Sequence, residues 1–394
     1  MYFVGIDVSK YKHDCFIVTE EGVVIKDTFS FDNNRTGFTL FFNTLSSLGP
    51  PNKIRIGLEA TGHYGNNLMK HLSVKGYSFV LLNPIIVSRF RSSETLRRTK
   101  TDKLDAMLIA EVIASRDFKN YPLLAYHFSD LKSLTRLRDR YVKQRSLYLV
   151  HLTNQLDVVF PEFKPFFGDS LQSKTAIYIL TKYTLPKRIA NLNMLSYDAL
   201  RKLSRGKFTY PKFVKLKKLA RNTVGSSSEI DGLTINSILR LYNLIEEEIN
   251  TVEAKIEAIM LALDPPTMSI PGIGLMSAAA IVAEYGDINR FSSDAKMLAY
   301  AGLDAAHYQS GLANHKGRMV KHGSSYLRQA LMNVAFSTLK YIPSLYDYYH
   351  RKKDVEGKHH RVALSHVARK LIRLIYKLET SRTRFDLSLY NSHK

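Results

Sequence analysis

Apolar positions recur along this chain first every second residue and later every third or fourth, and the switches mark out its elements. Tyr2 to Val8 (YFVGIDV), Cys15 to Thr19 and Val23 to Phe31 are β-rich runs separated by polar turns, which predicts a three-strand antiparallel meander. Arg35 to Leu48 then reads as a helix ended by Gly49-Pro50-Pro51, and Lys53 to Leu58 (KIRIGL) as a strand. Tyr64 to Val74 reads as a helix stopping before Gly76, and Tyr77 to Leu82 as a further strand. Asn83-Pro84 punctuates it. Two helices follow, the second over Lys103 to Ser115, with Thr101-Asp102 placed to cap it.

The order βββαβαβα followed by a helix matches a mixed five-stranded sheet of the ribonuclease-H or RuvC type, in which the first strand lies beside the fourth. Beyond it the pattern is helical. Leu131 to Phe160 holds no Gly or Pro, and Leu134, Tyr141 and Tyr148 recur every seven residues. Residues 162–228 are mixed and basic, with Pro165, Pro186 and Pro211, the run Lys212 to Arg221 (KFVKLKKLAR) and three serines, Ser226 to Ser228. From Ile238 the positions Tyr242, Ile245, Ile249, Val252, Ile256, Ile259 and Leu263 step by four and three, a coiled-coil stripe. Its partner is either Leu131 to Phe160 of the same chain or a second protomer; a helix packed on its own domain's core is the alternative. Asp264-Pro265-Pro266 ends it. The last stretch opens on Ser269-Ile-Pro-Gly-Ile-Gly274, continues as a small-residue helix and a basic, glycine-punctuated segment from Tyr308 to Arg328, and closes on a helix over Ser365 to Leu378. The fold class expected is therefore α/β plus all-α. Residues 1–125 form the mixed-sheet domain, 126–264 a helical coiled-coil linker and oligomerisation region, and 265–394 a mainly helical domain.

Composition narrows the function. The chain carries 57 Lys and Arg against 35 Asp and Glu, a net charge of +22, so it needs a polyanionic partner. The longest nearly unbroken apolar stretch, Ile273 to Ala283, is about half of the roughly 20 residues a bilayer span needs, which leaves nucleic acid rather than a membrane. A single cysteine, Cys15, precludes an internal disulfide and a cysteine zinc site and fits a reducing cytoplasm. The histidines show no metal-ligand spacing on a carboxylate-bearing helix, so no zinc is expected.

Four acids stand out against that basic background. Asp7 interrupts the apolar first strand; an exposed edge-strand position would explain it equally. Glu59 follows KIRIGL at the carboxyl end of a strand, where such sheets put their sites. Asp102 and Asp105 share one face at a helix start, where capping alone accounts for Asp102 and accounts less well for Asp105. In a ribonuclease-H-type sheet all four converge. Close carboxylates repel one another, and Mg²⁺ ions (or Mn²⁺) would supply the missing charge while clamping the attacking and leaving oxygens of an in-line phosphoryl transfer.

The runs Gly5-Ile-Asp-Val-Ser-Lys10, Gly57-Leu-Glu-Ala-Thr-Gly-His-Tyr64, Asn83-Pro84 and Thr99-Lys-Thr-Asp-Lys-Leu-Asp-Ala106 resemble the N-terminal half of the DEDD insertion-sequence transposases, the IS-one-ten family, with its Piv-type invertase relatives. Ile270-Pro-Gly-Ile-Gly274, Ala301-Gly302-Leu303, Ser310-Gly311, Lys321-His-Gly323 and Tyr326-Leu-Arg328 are similar to that family's C-terminal domain. The resemblance carries the four metal-binding carboxylates onto Asp7, Glu59, Asp102 and Asp105. It makes Ser310 a nucleophile that forms a phosphoserine linkage with DNA, although a Ser-Gly loop is by sequence alone a turn. Proline near Ala305 and asparagine near Ser324 are common in the family and absent here. The resemblance further implies DNA cleavage and strand exchange at element ends and a target, a structured guide RNA, a dimer or dimer of dimers, and a bacterial or archaeal cytoplasmic, nucleoid-associated protein.

Nucleic-acid contacts are expected from Lys316, Arg318, Lys321 and Arg328, which are suited to hold phosphates, and from Arg369 with its neighbours Arg361, His366, Lys370 and Arg373, for which a solvated basic face is the alternative. Gly272 and Gly274 form a turn like that of a helix-hairpin-helix, whose N–H groups reach a phosphate; a tight packing turn is the alternative. Three other functions compete. A RuvC-type junction-resolving nuclease would not need the last 130 residues, a non-enzymatic nucleic-acid-organising coiled coil leaves the four acids unexplained, and an actin-like ATPase needs a second phosphate loop that the sequence lacks.

Overall fold

The computed structural model describes residues 1–59, 64–82, 84–94, 102–116, 118, 126–168, 170–226, 228–310, 313–319, 321 and 323–392. They fall into two compact units, Met1–Leu123 and Leu124–Lys394.

In the first unit, β1 (Tyr2–Val8), β2 (Lys12–Thr19) and β3 (Val24–Asp32) form an antiparallel meander, while β4 (Ile54–Glu59) and β5 (Phe79–Leu82) run parallel to β1. The sheet is mixed, in the order β3-β2-β1-β4-β5. The helices α1 (Arg35–Leu48), α2 (Asn66–Val74), α3 (Pro84–Glu94) and α4 (Asp102–Ser115) connect and cover it. Alternation along each strand sends side chains to opposite faces. Val4, Ile6 and Val8 pack with Phe38, Phe41 and Leu45 of α1 and Leu68 and Leu72 of α2. Phe3 and Phe16 pack on the other face with Ala106, Ile109, Ala110 and Ile113 of α4.

Strand β2 begins at Lys12, three residues before the expected start. His13 and Asp14 extend the ladder by pairing with Val8 and Asp7, and their polarity masked the strand in the sequence. Thr101 and Asn83, named above as cap and turn, lie outside the described residues.

The central contact is glycine against helix. Gly5 and Gly57 are register partners on β1 and β4. A Cβ on Gly5 would lie 2.1 Å from the Ala106 carbonyl oxygen and 2.4 Å from the Ala110 nitrogen; one on Gly57 would lie 2.9 Å from a methyl of Ile113. Helix α4 therefore sits closer to the sheet than any side chain would permit.

The second unit is organised by two long helices, α5 (Tyr126–Val159) and α11 (Glu229–Leu263). They run antiparallel: Arg138 pairs with Glu253 at 2.6 Å, Arg145 with Glu246 at 2.9 Å, and Gln155 donates to Asp231 at 2.8 Å. Tyr242, Ile249, Val252 and Ile256 of the expected stripe are buried. Helix α11 starts nine residues before Ile238 because Ser228 and Asp231 close a capping box. Around one end of the pair, α6 (Phe163–Phe166), α7 (Lys174–Tyr183), α8 (Pro186–Ala190), α9 (Met194–Leu203) and α10 (Tyr210–Arg221) build a core on Leu152, Leu156, Ile235 and Leu239. Around the other end, α12 (Leu275–Tyr285), α13 (Asp294–Ala301), α14 (Ser325–Thr338), α15 (Pro343–His350) and α16 (His360–Ser381) pack on Val252, Ile256 and Met260, and α17 (Leu387–Ser392) follows. Between α13 and α14 the chain forms an antiparallel hairpin, β6 (Ala305–Ser310) with β7 (Ala313–Met319), in a stretch read above only as basic and glycine-punctuated. Among the described residues, no helix is long and apolar enough to cross a membrane.

Gly5 meets backbone and Gly57 meets the ends of side chains, so their alanine variants should separate. Gly5→Ala is expected to destabilise by about 3 kcal/mol, at the upper end of overpacking, and Gly57→Ala by about 1 kcal/mol. Urea midpoints of the two variants check this; equal shifts would contradict the packing described.

Candidate functional site

Because Val4, Ile6 and Val8 face α1 and α2, the intervening Phe3, Gly5 and Asp7 face α4. The same alternation on β4 puts Ile54, Ile56 and Leu58 in the α1/α2 core and turns Arg55, Gly57 and Glu59 towards α4. Asp7 and Glu59 thus lie one position beyond the paired Ile6 and Leu58, at the carboxyl ends of neighbouring parallel strands. Asp105 precedes Ala106, the residue whose carbonyl lies against Gly5, and is buried. Arg91 of α3 is both ion-paired and hydrogen-bonded to it. A buried carboxylate requires such a partner.

Asp102 is the first residue of α4, and its side chain lies outside the described ones. Among the described residues, no three Asp, Glu, His or Cys side chains gather closely enough to hold a metal ion. The fold thus brings Asp7, Glu59 and Asp105 to one face without closing them into a cage. A further acid joins that face. Asp14 is buried and stands directly across from Asp7, takes a hydrogen bond from Ser30, and has Lys12 at 3.4 Å. Like charges opposite one another on a ladder destabilise it, so this face favours bound cations. All its donors are hard carboxylate oxygens, the type that Mg²⁺ and Mn²⁺ take.

Ser310, expected in a loop, is the last residue of β6 and pairs with Ala313 at the hairpin tip. Its side chain and those of Lys316 and Arg318 lie outside the described ones, as does Gly311 entirely. Lys321 is exposed, in the left-handed region at φ 54°. Two arginines expected on nucleic acid are engaged within the protein. Arg328 donates to the Ala301 carbonyl at 3.3 Å, and Arg369 to that of Leu303 at 2.9 Å, so both hold the segment that leads into β6. Of the turn glycines, Gly272 (φ 91°) lies against the backbone of Thr338, 2.8 Å from where its Cβ would be. Internal packing accounts for it. Gly274 faces open space at the start of α12, which has no side-chain cap.

A buried carboxylate, Glu284, anchors an ion-pair network between α12, α5 and α14. Glu284 of α12 receives Arg136 of α5 through two hydrogen bonds, at 2.7 and 3.1 Å, with Lys132 at 3.5 Å. Ser324, the N-cap of α14, donates its hydroxyl to the same carboxylate at 2.9 Å. Burial works to raise the Glu284 pKa, but Arg136, Lys132 and Ser324 together outweigh it and hold the carboxyl below its usual range.

Residues 4–161 match the profile described as a transposase of the DEDD IS110 type, and residues 266–350 that described as the transposase IS116/IS110/IS902 family. The chain belongs to the IS110-type transposase family. Relatives align along most of their length. The pilin gene-inverting protein of Moraxella lacunata is 25% identical, covering 98% of each chain. The transposase for insertion sequence element IS1328 of Yersinia enterocolitica is 23% identical, covering 97% of this chain and 98% of its own. The transposase for IS1111A of Coxiella burnetii is 23% identical, over 87% of this chain and 79% of its own.

In this IS110-type transposase, Asp7, Glu59, Asp102 and Asp105 fall inside the first matched region, and Gly272, Gly274, Ser310, Lys316, Arg318, Lys321 and Arg328 inside the second; Arg369 falls in neither. Sequence reasoning missed Asp14, Arg91 and Glu284. Asp14 was legible only once β2 was extended to Lys12. Arg91 and Glu284 acquire meaning from helix packing alone.

Glu284 yields a pH prediction. Glu284→Gln strips a half-exposed arginine of its charged partner and is expected to destabilise by about 2–4 kcal/mol, somewhat less than for a fully buried pair. Because the folded-state pKa is lowered, the carboxylate's contribution is full above the ordinary value near 4.3 and is lost as pH falls through the lower folded value. Urea titrations of both proteins should therefore differ at neutral pH and converge in acid; a gap that persists or widens on acidification would contradict the network.

Proposed function

We propose that this transposase cleaves and exchanges DNA strands at the ends of an insertion element and at a target. The carboxylates of its ribonuclease-H-like sheet and the serine of its hairpin would act together. The observation that carries the reading is that Asp7 and Glu59 end adjacent parallel strands on the face α4 covers with Asp105, within a sheet of order β3-β2-β1-β4-β5. Asp7, Glu59, Asp102 and Asp105 would hold the divalent cations. Mg²⁺ or Mn²⁺ bound there would stabilise the attacking and leaving oxygens of the displacement.

Ser310 supplies the nucleophile. Its oxygen forms a bond to phosphorus as the bond to the leaving strand oxygen breaks, and its proton would be taken up at the carboxylate site of the same or another protomer. Position favours Ser310 over Ser324, whose hydroxyl is committed to Glu284. Lys316, Arg318 and Lys321, on β7 and just after it, are the cations for the phosphate. Gly274 offers uncapped N–H groups at the start of α12. Arg328 and Arg369 act one step back by fixing the segment before β6. A structured guide RNA is a further partner in this reading, as the family resemblance implies, and the net charge of +22 suits DNA and RNA alike. A homo-oligomer and a coiled-coil role for the α5/α11 pair belong to the same reading.

Asp7→Asn, Glu59→Gln and Asp105→Asn should each lower strand cleavage by about a hundredfold or more while leaving nucleic-acid binding in place. EDTA should stop the wild-type reaction, and Mg²⁺ or Mn²⁺ should restore it. On a suicide substrate the wild type should leave a protein–DNA adduct that survives denaturation and maps to the peptide around Ser310, whereas Ser310→Ala should leave none. Normal recombination by Ser310→Ala, or cleavage in EDTA, would defeat this mechanism.

A further inference from the structure

Residues 162–265 lie between the two matched regions, and the helices α6 to α10 within them have no part in the chemistry above. Their charge is unlike that of the rest of the chain. Lys164 to Arg221 holds fourteen Lys and Arg against two Asp, a net +12 of the protein's +22. Twelve of the fourteen are exposed. Among the described residues, none has an ion-pair partner, whereas Lys132, Arg136, Arg138, Lys143 and Arg145 of neighbouring α5 all do.

Helix dipoles explain only some of this charge. Arg201 and Lys202 sit in the last turn of α9, and Lys218 and Arg221 in that of α10, where cations are favourable. Lys212 occupies the first turn of α10, where the dipole opposes it, with no acid nearby in the turn, and Lys215 follows one turn on. With Lys218 and Arg221 they step by three residues, each about 60° around the helix from the last, so that Lys215 and Lys218 stand opposite the buried Phe213, Leu216 and Ala220 while Lys212 and Arg221 flank that face on either side. The row is about 13 Å long. Helix α8 extends it sideways, because Lys217 hydrogen-bonds the Leu192 carbonyl just beyond α8, and Lys187 and Arg188 are exposed there.

We infer that α8 to α10 form a docking face for the phosphate backbone of duplex DNA. The inference rests on the DNA-recombining function proposed above and adds a surface with which the protein grips DNA. A rigid row of cations suits a regular backbone. Single-strand binders interleave stacking aromatics with their cations; here Tyr210 is the exposed aromatic of α10. Phosphate contacts of this kind position a protein without reading bases.

The test is the salt dependence of binding by the full chain, with chelator present, to a short DNA duplex of arbitrary sequence. The triple variant Lys212→Gln, Lys215→Gln, Lys218→Gln should flatten the slope of log K against log salt by about two to three and weaken binding about tenfold or more at moderate salt. The charge-matched control Lys53→Gln, Lys255→Gln, Lys340→Gln should keep the wild-type slope. On the wild type, duplex DNA should protect Lys212, Lys215 and Lys218 from acetylation and leave Lys255 and Lys340 reactive, a readout that needs no variant to fold. A steep wild-type slope unchanged by the α10 substitutions, or lost equally in the control, overturns the docking face alone. Loss of binding to a structured RNA but not to the duplex overturns the DNA assignment. A flat wild-type slope removes the nucleic-acid reading as a whole.

Discussion

The approach of α4 to β1 and β4 over Gly5 and Gly57 is the constraint on which the first unit depends. It fixes the register of Asp105 against the strands, since Asp105 is the neighbour of Ala106, whose carbonyl occupies the space where Gly5 would carry a side chain. Alternation then determines the rest. With glycine facing the helix at one position, the next position on that face is Asp7 on β1 and Glu59 on β4. The same geometry that removes side-chain volume at the sheet centre delivers carboxylates to its carboxyl end.

Gathering acids this way is unfavourable without compensation, and the fold supplies it group by group. Arg91 neutralises Asp105, and Lys12 with Ser30 satisfies Asp14. A buried charge with its partner removed is destabilising by several kcal/mol, which is why such pairs recur where acids must be kept ionised. Arg91 serves a second end by tying α3 to α4, alongside the apolar packing of Val87 and Phe90.

Much of the first unit was legible in the sequence because its strands are short, apolar and bounded by Gly, Pro and Asn. The boundaries of α1 were read to the residue, since Asn34 caps one end and Gly49 closes the other. The strand order followed from the order of elements. What escaped depends on long-range packing. The start of β2 is polar because His13 and Asp14 face the protein interior rather than water, and Arg91, Glu284 and the hairpin at Ser310 have no periodic signature. That Arg328 and Arg369 also donate to main-chain carbonyls was not legible, because a sequence does not show which cations are engaged within the protein.

The two long helices divide the second unit's charge into two kinds. Along α5 and α11, cations face carboxylates across the antiparallel pair, and such half-exposed bridges contribute about 0.5 kcal/mol each while fixing register. In α6 to α10 there are almost no acids to face. Repulsion among fourteen cations opposes the compact state of that module, and its core of Phe160, Phe163, Phe208, Phe213 and Leu216 must overcome it in the absence of a ligand. A polyanion relieves that repulsion on binding, so affinity and stability are linked: whatever neutralises the module also stabilises its fold. Stability of this part of the protein should accordingly rise with screening salt, while that of the salt-bridged pair falls, and the opposite signs follow from whether each helix faces a partner charge or none.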